Sequence, residues 1–235
     1  MMARLVGLLL ICGSASAHDF WVQPDNFHAE PGVSVPITLQ VGHGPFRQRS
    51  QLPLRRITRL AAVAPDGTRI DLHDSFNLGA ATEDGELTFP APGTYAVVLE
   101  TDNRARTLDG AESYSRHSKA LIQVGSLQSG QATEPLGLTL EIVPDVNPYS
   151  LPPAGKLPVH VLFEGKPAAG AWLELTNLEH DSSPVEAHLT DEQGHCSFAV
   201  PAGGKWLLNV VWKKLRADNE ETQFESYFSS LSFGR

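Results

Sequence analysis

PAPGTYAVVLE, residues 90–100, is the stretch on which the fold turns. A Pro/Gly turn delivers one aromatic, Tyr95, into an apolar strand. The pattern returns at residues 201–211 as PAGGKWLLNVV, with Trp206 in the aromatic place. Such a turn leads into a late strand of an immunoglobulin-like sandwich. One copy in each half of the chain predicts two such units.

The surrounding sequence agrees. VSVPITLQVG (33–42), ITRLAAV (57–63), KALIQVG (119–125), LGLTLEIVP (136–144), LPVHVLFEG (157–165), AWLELTN (171–177), HCSFAV (195–200) and FESYFSSLSF (224–233) are strand-length runs rich in β-branched and aromatic residues. Asp66-Gly67 and the DEQG of residues 191–194 punctuate them as turns. No window keeps a 3.6-residue apolar period. The fold class is therefore all-β, with two tandem β-sandwich domains, immunoglobulin-like or transthyretin-like. The first is expected over residues 18–124 and the second over 136–235. GSLQSGQATEP, residues 125–135, is polar and aperiodic and reads as the linker. Residues 102–118 read as a less regular segment. The arginine-rich FRQRSQLPLRRITR, residues 46–59, reads as a solvated loop.

The first 17 residues, MMARLVGLLLICGSASA, carry one cation, a short apolar core and small residues at Ala15 and Ala17. This is the pattern of a cleaved secretory signal peptide. The apolar core is far short of the ~20 residues of a membrane span, so no membrane span is expected. The periplasm is the expected compartment. Removal of residues 1–17 takes one arginine and leaves 17 basic against 27 acidic residues, a net charge of −10. That field argues against nucleic acid as a partner. Only Cys196 of the two cysteines would remain, which excludes an intrachain disulfide.

Cleavage after Ala17 makes His18 the first residue. A free α-amine and the Nδ1 of the same histidine close a six-membered chelate on one metal ion, which no internal residue can do. Two such nitrogens favour copper, with nickel, cobalt and zinc behind. The alternative amino-terminal copper motif needs histidine at the third mature position, which is Phe20. A second imidazole would complete a histidine brace. His43, between glycines in VGHGPF, and His117, in SYSRHSKA, are the expected further ligands. His28 and His73 are weaker candidates, and the histidines of the second half are set aside. Catalytic motifs are missing: the sequence has no G-x-S-x-G, H-E-x-x-H, CxxC or phosphate loop, and no enzyme activity is expected.

AHDFWVQP, LQVGHG, YSRHSKALIQVG, LGLTLEIVPDVNP, LPVHVLFEGKPAAGAWLEL, TDEQGH and FESYFSSLSF, in that order, resemble a bacterial family of periplasmic domain-of-unknown-function proteins. Its members are commonly filed with the periplasmic components of cobalt and nickel transport systems. The resemblance implies an exported β protein with a carboxypeptidase-regulatory-like second half from Leu136. It also implies that His18 is a family-typical first residue and that Ser115, Arg116 and Lys119 are motif positions. Trp212 stands where many relatives have V-H-M.

The function expected from all this is transition-metal binding (copper, nickel or cobalt) in uptake or handling, with a metal transporter or a TonB-dependent receptor as partner. The alternative is a non-catalytic accessory or adhesion module that binds an outer-membrane receptor or another envelope protein.

Overall fold

The computed structural model describes residues 19–80, 82–180, 183–216 and 223–235. The expected signal peptide and His18 lie outside the described residues. In chain order the first half supplies β1 (Asp19–Pro24), β2 (His28–Ala29), β3 (Ser34–His43), β4 (Phe46–Arg49), β5 (Ile57–Val63), β6 (Arg69–Asp71), β7 (Gly85–Thr88), β8 (Gly93–Thr101), β9 (Ala105–Arg106) and β10 (Glu112–Val124). The second half supplies β11 (Leu140–Pro144), β12 (Lys156–Phe163), β13 (Lys166–Pro167), β14 (Trp172–Asn177), β15 (Glu186–Leu189), β16 (His195–Ala199), β17 (Lys205–Leu215) and β18 (Phe224–Gly234). No α-helix occurs among the described residues, so the all-β expectation holds.

Three sheets form three layers. The middle one has ten strands, ordered β15-β14-β17-β18-β10-β8-β5-β6 with β2 and β9 also on β10. β1, β3, β4 and β7 form the first outer sheet. β11, β12, β13 and β16 form the second. The middle sheet is continuous across the expected boundary, because β10 pairs in parallel with β18 from Glu112↔Phe224 to Ala120↔Ser232. Between them, residues 125–135 do more than connect. Their 3-10 turn, Gly130–Thr133, carries Ala132 into a core at 1% exposure.

The apolar run of β8 explains the layering. Successive side chains of a strand point to opposite faces, and a strand covered on both faces reads as unbroken hydrophobic sequence. Tyr95, Val97 and Leu99 enter a core with Phe20, Val22, Ile37 and Leu39 of the first outer sheet. Ala96 and Val98 enter the other core, with Leu140, Val159, Val161 and Phe198 of the second. Burying each of these larger side chains contributes about 1.5–3 kcal/mol. Val98→Asp would place an uncompensated charge between two layers.

The arginine-rich segment is a set of clamps, where the sequence suggested a solvated loop. Arg47 donates to the carbonyls of Gly44 and Leu178, at 3.1 and 2.6 Å. Arg49 pairs with buried Asp84. Arg56 donates to Asp102 at 3.1 Å. Arg59 reaches the carbonyls of Leu136 and Gly137, at 2.8 and 3.3 Å, and so ties the first half to the start of the second.

Candidate metal centre

β1 and β3 run antiparallel, with Asp19 opposite Gly42, so the next position along β3 is His43. The chain then reverses through Gly44 and Pro45 into β4, where His43 faces Phe46. Gly42 makes this reversal feasible. Its φ is +138°, and a Cβ there would lie 2.5 Å from the Phe46 carbonyl oxygen. His43 is thereby delivered to the amino-terminal corner, with its Nδ1 3.5 Å from Asp19 Oδ2. Asn209 Nδ2 donates to the other oxygen, Asp19 Oδ1, at 2.7 Å.

Burial, and secondarily the charge of Glu174, raises the Asp19 carboxyl to about 7. His43 is about one-third exposed and Asp19 only 14% exposed. One carboxylate oxygen and one imidazole nitrogen therefore meet at a partly open, acidic corner. Both are donors for a first-row divalent ion. His18 is the residue before Asp19 in sequence, outside the described residues.

His117 is not brought to this corner. It sits in β10 at 1% exposure. Its neighbour Ser118 faces β1 and accepts the Val22 N–H at 2.9 Å, so His117 points to the other side of the middle sheet. There its Nε2 lies 3.7 Å from Glu100 Oε1, and its ring stacks on Tyr227. Burial lowers its pKa to about 4, with Glu100 and Glu141 opposing the shift. Its Nδ1 makes no hydrogen bond. His28 packs edge-on against the Tyr149 ring, and His73 Nδ1 lies 2.9 Å from Asp71.

The other motif positions are packed inside the fold. Lys119 is fully buried and ion-paired with Glu141. Burial lowers the Lys119 pKa, with Glu141 opposing the shift. Glu141 also accepts the backbone N–H groups of Leu136, Gly137 and Leu138, at 2.7, 2.8 and 3.1 Å. Arg116 on the opposite face lies between the rings of Phe20 and Tyr114, 5.2 Å from each centre. Ser115 is buried at 2% exposure.

No curated protein matches the chain in sequence. Among solved structures, E. coli alpha-2-macroglobulin aligns at 14% identity and a TM-score of 0.24 over 94% of this chain. The chain spans only 14% of that protein's length. The D0-D1 domain of intimin aligns at 13% identity and a TM-score of 0.23, over 92% of this chain and 98% of that one. Murine CEACAM1b aligns at 11% identity and a TM-score of 0.21, over 92% and 98%. A family model described as "Domain of unknown function (DUF4198)" matches residues 15–214. With a match over most of its length, the chain belongs to the DUF4198 family.

Proposed function

We propose that this protein is a non-catalytic transition-metal carrier of the bacterial periplasm, binding copper, nickel or cobalt at its amino-terminal corner. The observation that carries the reading is the meeting of the Asp19 carboxylate and the His43 imidazole at the start of β1, 3.5 Å apart and next in sequence to His18. Once the leader is removed after Ala17, the His18 α-amine and Nδ1 supply two nitrogens to the same corner. Asp19 would exchange its proton for the ion, since metal and proton compete for one oxygen. The mature net charge of −10 attracts cations. The likeness of its motifs to periplasmic components of cobalt and nickel uptake makes a metal transporter or a TonB-dependent receptor the natural recipient.

The test is a Cu(II) titration of protein exported with its own leader, followed by electron paramagnetic resonance and with the mature mass measured first. A mass beginning at His18 and a nitrogen-rich axial spectrum are expected. One alanine added ahead of His18 should weaken this site more than tenfold. An unchanged spectrum and affinity in the extended protein would overturn the reading.

One observation favours a second reading, an accessory module that contacts an envelope protein. Leu189, Trp172 and Val211 are 59%, 51% and 39% exposed and belong to neighbouring strands β15, β14 and β17. Leu189 pairs directly with Trp172. An apolar row of this kind suits a protein contact. Replacing all three by serine would leave metal binding intact and abolish such an association.

A further inference from the structure

A second set of metal-ligating side chains lies in the other half of the molecule. Asp145, His160 and His195 each offer one ligand atom, and these atoms all lie within 4.8 Å of one another. The strand register puts them there. β12 pairs with β16 so that His160 stands directly opposite His195. Their ring centres are 5.3 Å apart and tilted by 50°. Asp145 follows β11 on the other side of β12, and its Oδ1 is 2.6 Å from His160 Nδ1.

The scaffold beneath is rigid. Val159 and Val161, the neighbours of His160, are fully buried in the core below the sheet, so His160 is turned outward. His195 is fixed by the turn before it. The Asp191 carboxylate accepts the N–H groups of Gln193 and His195, at 2.9 and 2.8 Å. Gly194 closes that turn at φ +81°, where a Cβ would come within 2.7 Å of the Val161 carbonyl oxygen. Cys196 points the other way and packs against the core, so the donor set is two imidazoles and one carboxylate without sulfur.

We propose that Asp145, His160 and His195 form a second metal site, taking one first-row divalent ion such as Zn(II), Co(II), Ni(II) or Cu(II). Two imidazoles with one carboxylate are a common three-ligand set for such ions. Around an ion at about 2.0–2.1 Å, tetrahedral ligand atoms lie about 3.4 Å apart. Contraction from 4.8 Å is within reach of side-chain rotation on a fixed backbone. The contact between His160 and Asp145 holds these two ligands side by side before an ion arrives. Asp145 and His195 are exposed, so water completes the coordination and the ion exchanges freely. Open coordination of this kind suits an ion that is passed on better than one locked in to hold a fold. The site contains no residue of the amino-terminal corner and does not depend on it.

The experiment uses the full mature chain with one alanine ahead of His18, which disables the amino-terminal chelate. Co(II) and Zn(II) are titrated by absorbance and calorimetry. One equivalent should remain bound in this background, and His160→Ala with His195→Ala should weaken it at least thirtyfold while leaving the circular dichroism unchanged. In the same extended protein, substoichiometric Co(II) should broaden the imidazole resonances of His160 and His195. Retained stoichiometry and affinity in the double variant, or broadening confined to other histidines, would overturn the proposal. Loss of binding on extension alone bears on the amino-terminal site, and loss on the double substitution alone bears on this one.

Discussion

The polar groups of β10 and those on the solvent-facing parts of the outer sheets are built from the same residue types and put to opposite uses. Lys119 is enclosed, ion-paired with Glu141, and Glu141 spends its remaining capacity on three backbone N–H groups of residues 136–138. On the outer sheets, His43 with Asp19 at one sheet end, and His160 and His195 with Asp145 on an outer face, stand partly open to solvent. A buried charge must be matched inside the protein, because no water can do it. A solvent-facing histidine has no such obligation, which is what the proposed ligand role requires. Lys119 on β10 therefore fastens the halves together through Glu141, and the proposed ligands lie where the outer sheets meet solvent.

Breaking the buried pair should have the largest effect. Glu141→Gln leaves Lys119 uncompensated and is expected to cost about 3–5 kcal/mol in urea unfolding. Replacing both partners by methionine should not recover it, because the N–H groups of Leu136, Gly137 and Leu138 would lose their acceptor. A loss below about 1 kcal/mol in the single variant would erase the contrast between interior and surface.

His117 makes the cost of burial depend on pH. Its folded pKa, about 4, lies below the ordinary value of 6.5, because burial disfavours the cation. A depressed histidine contributes stability that is full above pH 6.5 and is lost as pH falls toward 4. The loss across that window is on the order of 3 kcal/mol. His117→Phe should flatten the unfolding free energy over the same range, and an unaltered pH profile would refute the assignment.

Smaller effects follow outward. Arg116→Ala removes the cation between Phe20 and Tyr114 and should cost about 1–2 kcal/mol, with Arg116→Lys recovering only part. His195→Ala, on the solvent-facing outer sheet, should change thermal stability by less than about 0.5 kcal/mol. A large destabilisation there would make that histidine a structural residue.

Much of the fold was legible in the sequence, because apolar strands announce themselves. LPVHVLF, AWLELTN and FESYFSSLSF became β12, β14 and β18 nearly as read. Residues 112–118 did not, since ESYSRHS has polar side chains on both faces and looks like a loop. Its strand exists because Ser118, Lys119 and Arg116 each find distant partners, which no local pattern reveals. The arginine clamps were hidden for the same reason. The candidate sites were half legible. His43 was marked by its flanking glycines, and the structure sets it against Asp19. His160 and His195 are far apart in sequence and become neighbours only through strand register.

The place of β18 has a consequence for the order of assembly. The strand lies between β10 and β17 in the middle sheet, so Phe224–Gly234 is an interior strand. Until those residues arrive, β10 and β17 both present open edges, and the parallel pairing with β10 closes a loop of more than a hundred residues. Folding should therefore be slow and late, and it should be concerted across both halves, not completed one half at a time. A chain crossing a membrane unfolded from its amino terminus would be kept from premature folding by this wait, since the strand that completes the middle layer emerges after β17.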